Sequence, residues 1–370
     1  MCKLLTNRPC PTGVKMSTHG APHFKLGVAA LLVILGLSAA NRLWSQLPDA
    51  HINTVALKLF QPLPAVMESS ANPITDAKVR LGRMLYYEKR LSAGQDISCN
   101  TCHPLDAYGA EEEAVSTGHQ NQKGTRNAPT VYNAAGHIAQ FWDGRAADVE
   151  SQAKGPVLNP VEMALPSEAA AVRVLASMPE YVALFHQAFP GEQDPVTFIN
   201  MALAIGAFER GLVTPARWDR FLNGDTAALS EAEHAGFNTF TATGCHGCHY
   251  GAYVGGNSFE RLGLVKPWPN QSDLGREQIT NLPADRLVFK VPSLRNVAKT
   301  EPYFHDGSIA TLDEAIRQMA VHQRGYRLSD AEVKSIVAWL DALTGEIPLD
   351  YIKPPALPKS TPNTPAPAGE

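Results

Sequence analysis

Apolar positions recur at helical spacing along much of the chain. In "LSDAEVKSIVAWLDALTG", Val333, Ile336, Val337 and Leu340 fall on one face of a helix. Ser329 and Glu332 stand ahead of that face as a capping box, and Gly345 closes it. "LSEAEHAGFNTF" repeats the device with Ser230 and Glu233, and "TLDEAIRQMA" opens on Thr311, placed to cap toward Glu314. "DPVTFINMALAIGAFERG" predicts a helix with Asp194 as its cap and Pro195 in its first turn. No stretch alternates as a strand does, so the expected fold is mostly α.

The pattern also repeats on a larger scale. "APTVYNAAGHIAQFWDGR" in the first half matches "VPSLRNVAKTEPYFHDGS" in the second. Pro129 and Asn133 keep the spacing of Pro292 and Asn296, Phe141 keeps the place of Phe304, and Asp-Gly closes both frames. A duplicated module is expected.

Composition adds the class. With 370 residues, 44% of them hydrophobic and 18% charged, the chain can build two globular domains. Residues 1–40 carry Lys3, Arg8, Lys15 and Lys25, no acid, and then "LGVAALLVILGLSAA". That apolar run is short for a span of ~20 residues, and Ser38 and Ala40 suit a cleavage point. A signal peptide is expected, with an uncleaved N-terminal membrane anchor as the alternative. Of the 32 basic and 36 acidic residues, those four basic ones would leave with the leader, so the mature body is acidic. Such a surface argues against a nucleic-acid partner.

Cys2 and Cys10 lie in the leader; the other four cysteines all belong to "CNTCH" (Cys99, Cys102, His103) and "CHGCH" (Cys245, Cys248, His249). Cys-x-x-Cys-His is the attachment pattern of c-type haem. Two thiols three residues apart on a helical turn reach the two vinyl groups of one haem edge, and the adjacent imidazole becomes the proximal iron ligand. A Cys₄ zinc site would have to pair motifs a whole half-chain apart, and a thiol–disulfide exchanger would need one such pair in a βαβ setting. Two covalent haems also agree with export.

The repeat then separates the two sites. Twelve residues past Gly307 stands Met319, a thioether able to serve as sixth ligand opposite His249, with His322 as the rival. Twelve residues past Gly144 stands Pro156, which has nothing to offer iron. One closed electron-transfer site and one site open to chemistry are expected. Met163, Met178 and Met201 read as core.

These residues resemble the bacterial dihaem cytochrome c peroxidases. The likeness runs from about Phe60 to Thr344 through "ISCNTCH", "STGHQNQKGTRNAPTVYN", "FWDGRA", "QAKGPV", "NPVEM", "GCHGCH", "VPSLRNVA", "PYFHDG" and "AIRQM". It implies that His103 is the proximal ligand of the peroxidatic haem and that His119 occupies its distal side in the resting enzyme. It implies that Glu162 is the catalytic acid–base, with Gln152 and Pro156 in the same pocket, and that Trp142 lies between the haems. It gives His305 a structural role near the electron-transfer haem. It places a calcium ion at Asn127, Thr300 and Pro302, and it implies a homodimer. Glu301, His322, the long leader and the proline-rich tail depart from the pattern.

The expected division is a leader at 1–40, a peroxidatic haem domain at 49–213, an electron-transfer haem domain at 214–347 and a disordered tail at 348–370. The expected reaction is periplasmic reduction of hydrogen peroxide by a small cytochrome c or copper-protein donor. The loop from Pro104 to Arg126, with Gly109, Gly118, Gly124 and the Glu111–Glu113 cluster, has the composition of an order–disorder switch. Two rivals remain: a dihaem enzyme that modifies tryptophans of a partner protein, whose relatives carry tyrosine where Met319 stands, and a non-catalytic electron carrier.

Overall fold

The computed structural model describes residues 51–368; the expected leader lies outside them. The chain is helix-rich: α1 (Thr54–Leu57), α2 (Asp76–Tyr86), α3 (Cys99–Cys102), α4 (Val149–Leu158), α5 (Glu168–Ala176), α6 (Pro179–Ala188), α7 (Phe198–Glu209), α8 (Arg217–Leu222), α9 (Glu231–Ala242), α10 (Glu277–Thr280), α11 (Leu312–Met319), α12 (Asp330–Asp341) and α13 (Leu349–Ile352). Capping boxes form at Ser230 and Ser329, and the Thr311 hydroxyl accepts from Glu314 N. Val333, Ile336 and Leu340 are buried on α12 as its stripe requires.

Helix α7 starts later than expected. Its cap is Thr197, which accepts from Asn200 N. Asn200 Nδ2 donates to Pro195 O at 2.9 Å, which holds Asp194 and Pro195 in the preceding turn instead. Two three-residue strands, β1 (Phe259–Arg261) and β2 (Val288–Lys290), pair antiparallel with Phe259 opposite Lys290. Three residues are too few to display alternation in a sequence.

Each half packs the helix ahead of its haem motif onto a later helix through a glycine. A Cβ at Gly82 of α2 would lie 1.9 Å from Ala204 O on α7, and one at Gly236 of α9 would lie 2.1 Å from Ser335 O on α12. Around the first pair, Leu81, Leu85, Tyr181, Phe185 and all three methionines expected in the core are buried. Around the second, Trp218, Phe237, Phe240 and Trp339 form an aromatic core.

The duplication is visible in the backbone. Asn133 and Asn296 both have φ 62°, Phe141 and Phe304 have φ 66° and 71°, and Gln140–Ala146 and Tyr303–Ile309 form matching bridges. The two asparagines meet on one atom: each donates Nδ2 to Thr214 Oγ1 at 2.9 Å. Asn133 Oδ1 accepts from Thr214 N, and Asn296 Oδ1 from Gly345 N. The halves also exchange main-chain bonds, Asn127 N to His305 O and Lys290 N to Trp142 O, both 2.7 Å.

The termini cross over, which corrects two expectations. Ala56 and Phe60, placed by sequence in the first haem domain, pack into the second core. Asn53 N donates to Asn238 Oδ1 at 2.7 Å, fixing that crossing. The tail from Pro348 to Ala368 is ordered, not disordered, and lies on the first half. Ile352 is buried with Tyr86, Tyr132 and Phe208. Proline removes the donors of this segment but leaves its carbonyls, and first-half side chains satisfy them. Tyr87 Oη donates to Ile352 O (2.7 Å), Arg90 Nη2 to Pro358 O (2.8 Å) and Gln95 Nε2 to Pro365 O (2.8 Å).

Thr214→Val keeps the shape of the junction but leaves two buried amides without an acceptor, at about 1–3 kcal/mol each. Denaturant unfolding is expected to show that loss; an unchanged midpoint contradicts the shared-acceptor junction.

Candidate active site

The first motif is held by local hydrogen bonds. Ser98 N donates to Thr101 Oγ1 and Thr101 N to Ser98 O, both at 3.0 Å, which winds Cys99–Cys102 into one turn with both thiols on the same wall. His103 N then donates to Cys99 O at 3.0 Å, and Tyr86 Oη donates to His103 O at 2.8 Å. His103 Nδ1 lies 3.2 Å from Gly109 O, which orients the ring. In the second motif, His249 N donates to Cys245 O at 3.1 Å and His249 Nδ1 lies 3.4 Å from Val254 O. Engaging one imidazole nitrogen on a carbonyl is how a protein orients a histidine ligand.

A cavity of about 540 Å³ opens from the first motif. Cys99, Cys102, His103, Trp142, Gln152, Pro156 and Glu162 all line it, as does Asn127. Burial pushes the Cys102 thiol up to about 11 and raises Cys99 further, while His249 is pushed down to about 4. Neutral imidazoles suit iron ligation. No group of three or more His, Cys, Asp or Glu able to hold a metal forms among the described residues. All four cysteines are free of disulfides. The residues present therefore fit a covalent haem at each motif.

Glu162 follows α4 in a tight turn. Asn159 Nδ2 donates to its Oε1 at 2.8 Å, and Asn159 Oδ1 accepts from Val161 N at 3.0 Å. Burial raises the Glu162 pKa above the ordinary carboxylate value, opposed by the Arg145 charge and the Asn159 bond. Asp143, itself paired with Arg126, holds Arg145 at 3.0 Å. Trp142 Nε1 donates to Asn127 O at 2.9 Å, which fixes the ring in the cavity wall.

His119 is not among the residues that line the cavity; Gly118 is. The loop folds into a small hairpin, with Gly118 N on Gln122 O and Gly124 N on Ser116 O. It docks on the turn of the acid: His119 N donates to Glu162 O at 2.8 Å, and Gln122 Nε2 to Pro160 O at 3.1 Å. At its far end Arg126 forms an ion pair with Asp273 of the second half at 2.6 Å. Loop and acid thus share main-chain bonds.

Met319 ends α11 and packs beside the cluster of Trp268 and Phe304. Its repeat counterpart, Pro156, lies on the first cavity wall. His322 is buried in a π-turn, with Nδ1 2.9 Å from Lys266 O and its ring edge-on to Trp268. Asn127 donates Nδ2 to the carbonyls of Glu113 and Ala114 and reaches the strand of chain that carries Thr300 and Pro302 through His305 O.

Residues 76–227 match the di-haem cytochrome c peroxidase family model. A cytochrome c551 peroxidase of Pseudomonas aeruginosa is 44% identical over 320 residues, covering 85% of this chain and 91% of that one. A cytochrome c551 peroxidase of Nitrosomonas europaea is 45% identical over 308 residues, covering 83% and 89%. The chain belongs to the di-haem cytochrome c peroxidase family. Among solved structures, a MauG-like protein associated with microbial copper homeostasis superposes with a TM-score of 0.69 at 30% identity, covering 79% of this chain and 97% of that one. This peroxidase therefore has the dihaem peroxidase fold, and its class is cytochrome-c peroxidase.

Three wall or support residues escaped the sequence reading. Asn159 was visible as the Asx-turn residue of "NPVEM", and Arg145 as the cation of "FWDGRA". Glu209, buried on the cavity wall and pushed up to about 8 by burial and Glu150, had no local signal.

A Cβ at Gly118 would lie 2.0 Å from Val161 O. Gly118→Ala is therefore expected to lift the hairpin off the acid's turn and speed tryptic cleavage at Lys123. Cleavage at the parent rate contradicts this docking.

Proposed function

We propose that two covalent haems, one at Cys99, Cys102 and His103 and one at Cys245, Cys248 and His249, serve different tasks. Peroxide is reduced at the first, and electrons enter at the second. The observation that carries this reading is the one cavity lined by both thiols, His103 and Glu162, with Glu162 held by Asn159. When bound, the haem supplies the iron that receives peroxide and the electrons that reduce it.

The chain handles the proton. Glu162 accepts it from one peroxide oxygen and delivers it to the other, which leaves as water. Two electrons and two protons thus convert one peroxide to two waters. Asn159 fixes one carboxyl oxygen, and Gln152 supplies a neutral amide on the same wall. His119, carried on the hairpin beside the cavity and outside its lining here, would close the first site in the resting state. Its release requires the hairpin to part from the Glu162 turn, so access and acid placement change together. Met319 closes the second site, and Trp142 bridges the two.

Domains at 49–213 and 214–347 remain the functional division, although the termini cross between them. Export to the periplasm rests on the leader and the haem chemistry, and a small cytochrome c or copper protein is the donor; among the described residues no helix is long and apolar enough to cross a membrane. Calcium at Asn127, Thr300 and Pro302 is supported by the chemistry of Asn127, an amide whose Nδ2 binds the carbonyls of Glu113 and Ala114 and whose oxygen is a hard ligand. Tryptophan modification is disfavoured by Met319, and a pure carrier has no use for an oriented carboxyl in an open cavity.

Glu162 acts as a base, so its ionised form is the active one. Burial raises its pKa, and turnover should fall on acidification at a higher pH than an ordinary glutamate would give. Glu162→Gln is expected to lower kcat by about 10²–10⁴-fold and to erase that acid limb, with both haem spectra intact. Full turnover in the Gln variant rejects the assignment.

A further inference from the structure

The duplication makes corresponding positions comparable. Asn127 and Lys290 each stand two residues before the matched prolines, Pro129 and Pro292. Their main chains do the same work, donating to His305 O and Trp142 O at 2.7 Å. Asn127 lies on the wall of the first cavity. The corresponding position of the second half carries an ammonium, Lys290.

Lys290 is only 8% exposed. Burial lowers its pKa to about 8, with no carboxylate acting to hold it up. Nζ has His137 Nδ1 beside it, 3.3 Å away and contributed by the first half. With the ammonium donating to Nδ1, the His137 proton would sit on Nε2, an atom buried with no hydrogen-bond partner among the described residues. His137 lies against the segment that follows the second motif. Its ring meets Tyr253 edge-on at 5.4 Å, and Ile138 N donates to Gly256 O at 2.9 Å. Within that segment Val254 O holds His249. A buried ammonium is strongly unfavourable unless an anion or hydrogen-bond acceptors compensate it. Here an ammonium and an imidazole N–H stand side by side with no acidic partner among the described residues, the donor set of a carboxylate site.

We infer that Lys290 and His137 together receive a carboxylate of the second haem, on the edge that carries its propionates. The inference rests on the two-haem reading. A cation buried there offsets the negative carboxylate and favours the reduced iron, which raises the potential of the haem that takes in electrons. His137 belongs to the first half, so the potential of one site is set partly by the other half.

The test compares Lys290→Met, Lys290→Arg and His137→Phe in the haem-loaded full chain, with the haem-to-protein ratio measured first and both midpoint potentials resolved by redox titration. Lys290→Met is expected to lower the second midpoint alone, Lys290→Arg to restore most of it, and His137→Phe to give a smaller fall. Should Lys290→Met fail to accumulate, His137→Phe carries the same decision. Unchanged midpoints, or equal shifts at both haems, overturn the inference while leaving two haems per chain in place. One haem per chain in the parent protein would overturn the two-haem reading itself.

Discussion

The reciprocal clasp between the halves is the constraint on which the rest depends. Asn127 N on His305 O and Lys290 N on Trp142 O are one hydrogen bond made twice, and the shared Thr214 hydroxyl ties the matching asparagines at the centre. A duplicated frame can join itself in this way because each copy presents the same donors and acceptors. The clasp places Trp142 and His305 at equivalent points between the halves and fixes which residues of one half face the other. The crossed termini strengthen it, since Phe60 and Ile352 each fill the core of the opposite end of the chain.

On this near-symmetric frame the proposed chemistry is asymmetric, and few side chains carry the difference. Pro156 lines the first cavity where Met319 stands in the second half. Asn127, with an amide oxygen suited to a hard cation, stands opposite Lys290, which carries its own cation. By the same correspondence His137 takes the place of Thr300. The proposed calcium ion and the Lys290 ammonium are thus two solutions to one problem, positive charge at a buried junction. The loop is docked on this frame. It is held by main-chain bonds to Pro160 and Glu162 and by Arg126 to Asp273, so it touches both the acid and the second half.

Much of this was legible before any coordinates. Helix starts at Ser230, Thr311 and Ser329 were readable because capping is local chemistry, and the haem motifs were readable because thioether spacing is rigid. The repeat foretold the junction asparagines, although not that both would share Thr214, which is a tertiary fact. The start of α7 was misplaced because Asn200 reaches back to Pro195 O, a bond that no propensity reports. The tail was misread because proline-rich composition describes a free chain. Here Tyr87, Arg90 and Gln95 satisfy its carbonyls from a distance in sequence. Glu209 and Lys290 were invisible for a related reason: their interest lies in burial, which is decided by tertiary packing.

The central claim is that one iron site can be vacated while its twin stays closed. The spin state of the ferric haem in half-reduced protein tests it most directly, read by electron paramagnetic resonance and visible absorption after the second haem alone has been reduced. The account predicts that the remaining ferric signal turns high-spin and accepts an added small ligand. A low-spin ferric signal that persists and takes up no ligand contradicts it.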